Sequence, residues 1–584
     1  MEKRWTTIHL PGLPRVHDLS PALVHILLSR GIPTDQMHSF IQAGPALIRP
    51  SLALPALQSA ISQIQRNLER NVRITVVGDY DADGVTASVL LYEVLKDLGA
   101  TVEILIPDRH RDGYGISPQI VERINTDAAG HHQMIITVDN GANAREAIAR
   151  ALELGMEVVV TDHHTVHTPP EAVIMVNPNN PKCPYVFGGL AGVGVAWKLA
   201  RELLKVHHCE EKAWDYLDLV ALGTIADVSP LIDENRALVQ LGMEKIKRNP
   251  RPGLRELIKR QLGYRLGKEN GGSLSIANGS SITSELGIEL SPYDIGMYIT
   301  PCLNAAGRIG EVQDAVRLLL CQNQTEAAQL ADKLIALNQE RRRITEQGLK
   351  EAQSLLASTK EIPNIICLTL PEIEESICGI IAGRIKEAYQ RPTLVLTQTK
   401  DRTWKGSGRS VNGFDITTLL PAVAHLAEGG GHPQACGVSL NDTDVDAFLA
   451  TVQAFGEERI TPQQLMPVIR VDLPVQPEEV TLGLLREIKK LEPFGAGWEE
   501  PVIGLRRVAV TGGVMGQTGE HLRLRCNRSG LIFKGWHMFS KYRHLGLPSV
   551  VDILGRLRYN FWNNRESSEV EILDLRSHRA ASNG

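Results

Sequence analysis

Three short apolar runs rich in β-branched residues each lead straight into acids. Residues 74–77 run into Gly78-Asp79-Tyr80-Asp81-Ala82-Asp83-Gly84, residues 134–138 into Asp139-Asn140-Gly141, and residues 157–161 into Asp162-His163-His164. Runs of this kind are expected to form buried parallel strands. In open α/β sheets, ligands bind just beyond the carboxyl ends of the strands. Three such strands deliver several carboxylates and one or two imidazoles to one rim. Like charges packed that closely raise one another's pKa, so the simplest resolution is divalent metal. A single Asp after a strand is more often the N-cap of the next helix. Three in succession, one inside Asp-x-Asp-x-Asp and one followed by His-His, exceed what capping needs.

The donor types select the ion. Carboxylates with one or two imidazoles suit Mn²⁺ or Mg²⁺ better than zinc, which favours Cys and His. The eight cysteines contain no Cys-x-x-Cys pair, which argues against a zinc ribbon or knuckle. Two ions about 3.5–4 Å apart, clamping a phosphate oxygen, are a standard arrangement for phosphoester hydrolysis. One ion would lower the pKa of a water and the other would steady the leaving oxygen.

The elements that must hold these groups follow from pattern. Residues 1–50 are expected to be a helical leader with a proline-interrupted start. Residues 51–230 alternate strands and helices, which predicts a parallel sheet. A helix is expected from residue 84 to 98, directly after the first acidic loop. Residues 231–350 are expected to be a helical connector; residues 327–350 carry Leu330, Leu334, Leu337, Ile344 and Leu349 among many charges. Residues 351–460 form a second α/β unit, with strands at 365–370 and 393–397. Residues 461–576 hold short alternating runs at 521–526, 531–536 and 551–557, the spacing of a small β-barrel. Residues 577–584 are expected to be a disordered tail.

The second α/β unit carries the groups best suited to nucleic acid. Gly429-Gly430-Gly431-His432 could bring successive N–H groups close to a phosphate as an anion nest; the alternative is a plain glycine turn. Lys405-Gly406-Ser407-Gly408-Arg409-Ser410 would add a cation and hydroxyl donors in a flexible loop. Tyr559, Phe561 and Trp562 could stack on bases or fill the barrel core. His131, His132, His207 and His208 are expected to be solvated.

The motifs Asp79–Gly84, Val138-Asp139-Asn140-Gly141, Asp162-His163-His164 and Gly223-Thr224-Ile225-Ala226-Asp227-Val228 resemble motifs I to IV of the DHH phosphoesterase superfamily. Asp112-Gly113-Tyr114-Gly115, Leu190-Ala191-Gly192-Val193-Gly194-Val195-Ala196, Leu303-Asn304-Ala305-Ala306-Gly307-Arg308, and the two glycine-rich strings narrow the resemblance to the RecJ family of single-strand-specific 5′→3′ DNA exonucleases. The resemblance covers roughly residues 20 to 575. It implies a parallel-sheet DHH catalytic domain (51–230), a DHH-associated substrate-binding domain (351–460) and an OB-fold (461–576). It implies two Mn²⁺ or Mg²⁺ ions on Asp79, Asp81, Asp83, Asp139, His163 and Asp227, with Asp139 bridging. Asp162 would support the site. His164 would orient it or contact phosphate. Substrate contacts would come from Arg109, Asn304, Arg308, Ser407, Arg409, Gly430, Gly431 and His432. The rival readings are an oligoribonucleotide or cyclic-dinucleotide phosphodiesterase, a small phosphatase and a non-catalytic replication scaffold. The extra barrel and leader favour a polymer substrate, and intact acids disfavour a scaffold.

Three places depart from the family pattern. Cys302 stands where arginine is usual, Glu375-Ser376-Ile377-Cys378-Gly379 replaces a Trp-His-x-Gly-Val form, and Trp498 stands where asparagine is usual. None falls on an expected ligand, so they bear on substrate grip.

Composition sets outer bounds. The chain has 584 residues and 43% hydrophobic content, ample for several cores. No apolar run of membrane-spanning length and no signal-type stretch occurs, which leads us to expect a cytoplasmic protein with reduced thiols. The absence of a Gly-x-x-x-x-Gly-Lys-Ser/Thr loop argues against ATP-driven action. Net charge is −5, but charge is segregated: from Pro501 onward there are 13 Lys+Arg against 6 Asp+Glu. Local basic surface matters more than the total. The expected partner is single-stranded DNA, with a helicase or single-strand-binding protein as a further candidate, and a monomer is the expected state.

Overall fold

The computed structural model describes residues 3–8, 10, 12–109, 111–113, 115–127, 133–270, 289–562 and 565–578, with the backbone alone for 264–270 and 562. Tyr114, His131, His132, the Trp562 side chain and residues 579–584 therefore lie outside the described set. The chain folds into two units, residues 50–229 with 241–467, and residues 1–49 with 230–240 and 468–584.

The first of these contains the acid-bearing sheet. Its strands are β1 (Arg73–Val77), β2 (Val102–Leu105), β3 (Gln133–Val138), β4 (Glu157–Thr161) and β5 (Ile174–Val176). They lie in the order β2-β1-β3-β4-β5, all parallel. All six residues of β3 are buried, as expected of a strand covered on both faces. The register pairs Val77 with Thr137, and Val138 with Thr161. Asp79, Asp139 and Asp162 therefore emerge at one edge of the sheet.

Helix α1 (Ala82–Asp97) begins inside the acidic loop and packs against α2 (Gly192–Val206) and α3 (Leu217–Ala226). The described residues after α3 are mostly helical, with helices Asp233–Arg248 and Pro252–Asn270; residues 271–288 of the expected connector lie outside the described set. The chain goes on to α4 (Thr300–Ile309) and the 34-residue α5 (Gln324–Ala357). The side chain of Asn323 caps α5, accepting from the N–H groups of Thr325 and Glu326. Gly307 of α4 sits against the acidic loop so closely that a Cβ would overlap the Tyr80 carbonyl oxygen.

The second sheet has strand β6 (Ile366–Thr369), helix α6 (Glu375–Tyr389), and strands β7 (Thr393–Gln398), β8 (Thr403–Arg409), β9 (Ala427–His432) and β10 (Ala435–Asn441). The order is β9-β10-β8-β7-β6. Two expectations are corrected here. Lys405–Arg409 is no flexible loop but the body of the central strand β8, flanked by β7 and β10. Its glycines make room for neighbours: a Cβ on Gly408 would lie 2.5 Å from Cys436 Sγ. Gly429–His432 is not a curled nest but the edge strand β9, pairing Gly430 with Gly437. An edge strand presents a row of unpaired N–H and C=O groups, which serves an anion differently from a nest.

The other unit contains β11 (Ile503–Met515), β12 (His521–Cys526), β13 (Ile532–Gly535), β14 (Val550–Trp562) and β15 (Arg565–Ser577). Pairings run β11-β12-β13-β15-β14 and return from β14 to β11. This closes a five-stranded barrel. Leu522, Leu524, Phe533, Val551 and Ile553 fill it. Tyr559 and Phe561 are not core: they are 49% and 60% exposed, in the stretch of β14 that pairs only with β15. Ser577 belongs to β15 rather than to a tail. The leader is not wholly helical either. Strand Arg4–Thr7 pairs in parallel with Val468–Val471, ahead of helices Pro21–Ser29 and Met37–Gln42.

The Gly307 contact sets a prediction. Gly307→Ala must push α4 off the acidic loop and is expected to cost roughly 1–3 kcal/mol, the range for overpacking. Gly430→Ala, where a Cβ meets nothing within 4 Å, is expected to stay within about 0.5 kcal/mol. Denaturant unfolding of both variants checks this.

Candidate metal centre

Each acid is fixed by the element it begins or ends. Asp81 is the N-cap of α1: its Oδ1 accepts from the N–H groups of Asp83 (2.9 Å) and Gly84 (3.1 Å). The capping reading is therefore correct for Asp81, and its carboxylate also belongs to a cluster with Asp79 and Asp139. Asp83, on the first turn of α1, is almost fully buried. Its two oxygens accept from Gly192 N–H (2.6 Å) and Val193 N–H (2.9 Å) at the start of α2. A helix N-terminus favours such a negative charge. Gly192 is forced by crowding, since a Cβ would sit 2.6 Å from that of Asp139.

Asp139 stands at the end of β3 with φ at 61°. A non-glycine residue in that region is strained, a cost tolerated where surrounding structure enforces it. Its N–H donates to the Thr161 carbonyl (3.1 Å). Its Oδ1 is buried without a hydrogen-bond partner, as are Asp79 Oδ1 and His163 Nε2. His163 Nε2 lies 3.0 Å from Asp139 Oδ1 and 3.9 Å from Asp83 Oδ2. Asp227, at the end of α3, accepts from Ser229 Oγ at 2.5 Å. It falls in a cluster with Asp83 and His163. Unsatisfied buried oxygens and an unsatisfied imidazole nitrogen converging on one space fit a hard divalent ion. The donor set matches Mn²⁺ or Mg²⁺.

Asp162 is different. Its Oδ1 accepts from His163 N–H (2.7 Å), His164 N–H (3.1 Å) and His164 Nδ1–H (2.8 Å), and its Oδ2 from Ala142 N–H (2.8 Å). A carboxylate so occupied has little left for an ion. It orients His164, which is half-exposed.

The electrostatics match. Burial, reinforced by Asp81, pushes Asp79 well above the usual carboxylate range. Burial, then Asp83 and Asp81, does the same to Asp139. Burial and Asp227 bring Asp83 up to about 7. Burial also raises Asp227, against the pull of His163. Burial opposes the His163 charge, but Asp227 and Asp83 outweigh it and raise its pKa. For Asp162 burial is likewise outweighed, by the His164 hydrogen bond and charge, and its pKa falls.

Facing this centre is a cavity of about 880 Å³ lined from both halves of the unit, by Tyr80, His163 and His164 on one side and Ser407, Arg409 and His432 on the other. Gly430 and Gly431 line it too. Arg109 lies over the Tyr80 ring, 5.1 Å from its centroid. Arg308 Nη1 donates to the Ser376 carbonyl (2.6 Å) at the start of α6. The guanidinium of Arg409 lies against Gly379, where a Cβ would approach Nη2 to 2.7 Å. The divergent segment Glu375–Gly379 thus cradles both arginines. Asn304 is placed otherwise than expected: its Oδ1 accepts from Ala82 N–H (2.7 Å), tying α4 to the start of α1.

Sequence reasoning missed Asn140 as a fixing residue. Its Nδ2 donates to the carbonyls of Val77 (3.0 Å) and Val138 (2.9 Å), and its Oδ1 accepts from Ile116 N–H (3.2 Å). It therefore ties the ends of β1 and β3 together. The only sequence signal was its place in Asp-Asn-Gly.

Residues 73–224 match the DHH family, N-terminal domain; residues 363–458 match the DHHA1 domain; residues 471–574 match the RecJ OB domain. The Single-stranded-DNA-specific exonuclease RecJ of Bacillus subtilis is 32% identical over 564 residues, covering 95% of this chain and 68% of the relative. The protein of the same name from Escherichia coli is 34% identical, covering 83% of each. This chain belongs to the RecJ family. The crystal structure of RecJ from Thermus thermophilus in complex with Mn²⁺ superposes with a TM-score of 0.79 at 29% identity, covering 99% of this chain and 80% of that one. The Mg²⁺ complex of the same RecJ gives 0.73. RecJ relatives thus carry the ions that the donor set selects.

A pH dependence follows. Asp79, Asp83, Asp139 and Asp227 all bind protons more tightly in the folded than in the unfolded chain. Their contribution to the stability of metal-stripped protein is present at low pH and lost as pH rises through the folded pKa values. Asp83 sets the window, from an ordinary 3.8 to about 7. Asp162, with its lowered pKa, works in the opposite sense but is a single group. The gain in Tm from saturating Mn²⁺ is therefore expected to grow between about pH 5 and about pH 7. Thermal unfolding with and without chelator checks it; a gain independent of pH would contradict it.

Proposed function

We infer that this protein is a metal-dependent exonuclease that hydrolyses phosphodiester bonds in single-stranded DNA from the 5′ end, releasing 5′-mononucleotides in repair and recombination. The observation that carries the reading is the buried acid–imidazole cluster with unsatisfied donors, facing Ser407, Arg409 and His432 across one cavity. Asp79, Asp81, Asp83, Asp139, His163 and Asp227 would hold two divalent ions. When bound, such ions supply an acidified water and a counter-charge for the leaving oxygen.

The chain's own residues do the rest. Asp162 fixes the His164 ring through Nδ1, so that His164 presents its remaining nitrogen to a phosphate oxygen. Its pKa is raised because the Asp162 hydrogen bond and charge outweigh burial, which keeps a proton available for that contact. Arg409, Ser407 and the N–H groups of edge strand β9 receive the terminal phosphate, with Arg109 and Arg308 adding charge from the Tyr80 side. Arginine forks suit phosphate better than lysine does. A cavity of about 880 Å³ is of the size that encloses a small ligand, so a single strand enters where a stacked duplex does not. The barrel carries Tyr559 and Phe561 exposed, side chains suited to stacking on bases.

No helix among the described residues is long and apolar enough to cross a membrane. The protein acts in the cytoplasm as a monomer, on strands opened by a helicase or held by a single-strand-binding protein.

Asp139→Ala is expected to abolish cleavage while leaving the fold intact. Arg409→Ala is expected to slow digestion of a 5′-phosphorylated strand more than that of a 5′-hydroxyl strand. Paired rates on end-labelled single-stranded DNA, with duplex and RNA strands alongside, test the reading. Equal losses on both 5′ ends would remove Arg409 from the terminal phosphate; efficient digestion of blunt duplex would remove the cleft.

A further inference from the structure

Helix α3 is pressed against α1 one turn before it ends. A Cβ on Gly223 would lie 2.8 Å from Asp83 Oδ1. Asp227 stands one turn later, just beyond the last helical residue, where helix ends fray. Three backbone bonds close this end. Asp227 N–H donates to the Gly223 carbonyl (2.9 Å), Val228 N–H to that of Ile225 (3.2 Å) and Ser229 N–H to that of Thr224 (3.2 Å). With Val228 at φ 60°, this is a Schellman turn.

Two of its residues are the wrong types for a plain helix stop. The left-handed position ordinarily takes glycine, and a β-branched residue there is an outlier that costs free energy. Packing does not repay that cost, because Val228 is 69% exposed. The following position ordinarily makes an apolar contact back onto the helix. Here it is Ser229, which is buried, and its hydroxyl donates to Asp227 Oδ2 at 2.5 Å. No hydrogen bond among the described residues reaches Asp227 Oδ1.

We propose that Val228 and Ser229 are positioning residues for Asp227, and that they act on one ion of the pair. The proposal rests on the two-ion reading above and deepens it. Ser229 occupies Oδ2 and fixes the plane of the carboxylate, so Oδ1 is the oxygen left for an ion. Val228 stiffens the turn that carries Ser229. Valine fits the left-handed region only narrowly, whereas glycine takes φ of either sign freely. Asp227 clusters with Asp83 and His163, while Asp79, Asp81 and Asp139 form a separate cluster. The Ser229 bond therefore bears on the first group alone. Hydrogen bonds that orient a ligating carboxylate in this way tune the ion it holds.

Calorimetric titration of Mn²⁺ into chelator-stripped, full-length protein tests the proposal. Ser229→Ala is expected to weaken one of the two ions roughly 10- to 100-fold and to leave the other as in the parent. Ser229→Thr, which keeps the hydroxyl, is expected to restore the weakened ion. Val228→Gly is expected to weaken the same ion by less, roughly two- to tenfold. The Tm of that stripped variant should hold level or rise, because backbone strain is relieved. Single-strand hydrolysis over a Mn²⁺ series gives a second readout: Ser229→Ala should need more Mn²⁺ yet approach the parent's kcat at saturation. Equal weakening of both ions, or a lower Tm with Mn²⁺ binding unchanged, would make the turn merely structural and overturn the proposal. A Ser229→Thr protein as weak as Ser229→Ala would show that the hydroxyl is not the cause, and overturn it also. Loss of strand affinity in Val228→Gly with Mn²⁺ binding unchanged would make Val228 a strand contact and overturn its part. If the parent itself bound fewer than two Mn²⁺, the two-ion reading would fail before any variant was measured.

Discussion

Buried carboxylates repel one another, and the acid-bearing half of this molecule is organised around that fact. Asp79, Asp83 and Asp139 are all nearly inaccessible to solvent, and burial lifts each far from its ordinary titration range. A protein that needed only stability would not keep three such groups within reach of His163 and Asp227. The fold holds them by other means. Two helix starts accept the charge of Asp81 and Asp83, a strained backbone turn fixes Asp139, and Asn140 ties two strand ends together. Together these devices restrain the backbone while Asp79 Oδ1 and Asp139 Oδ1 stay without a hydrogen-bond partner. Unmet oxygens in a restrained frame are what a divalent ion requires.

The second sheet answers the first with cations and glycine. Arg409 and Ser407 lie on a central strand rather than a loop, so their positions are set by ladders on both sides. Helix α6 steadies Arg308 through a backbone carbonyl and leaves space for Arg409 beside Gly379. Rigid placement on strands and helices suits a site that must position a phosphate to a fraction of an ångström. The Arg308 contact is to the Ser376 carbonyl, which needs no particular side chain.

The strand–acid junctions were legible because buried parallel strands are continuous apolar runs, and the register then lines their ends up. The strands at 73–77, 133–138 and 157–161 fall within a residue of expectation for that reason. Strand β8 was hidden because Lys-Gly-Ser-Gly-Arg has loop composition. Its glycines answer to Leu396 and Cys436 on the neighbouring strands, which composition cannot reveal. The strand Arg4–Thr7 was hidden because its partner, Val468–Val471, is far away in sequence. Alternation in residues 551–557 announced a barrel strand, but not that the strand would run on to Tyr559 and Phe561 or that these would stand clear of the core. Asn304 fits a substrate contact by motif and a helix tie by geometry; only the short bond to Ala82 separates the two.

The central claim is that these acids share protons when alone and share ions in use. Calorimetric titration of Mn²⁺ into chelator-stripped protein near neutral pH, repeated in buffers of different ionisation enthalpy, measures it directly. The account predicts two ions bound per chain with net release of protons, because ligands held above their ordinary pKa must deprotonate to bind. Binding without proton release, or two ions still bound after Asp139→Ala, would contradict it.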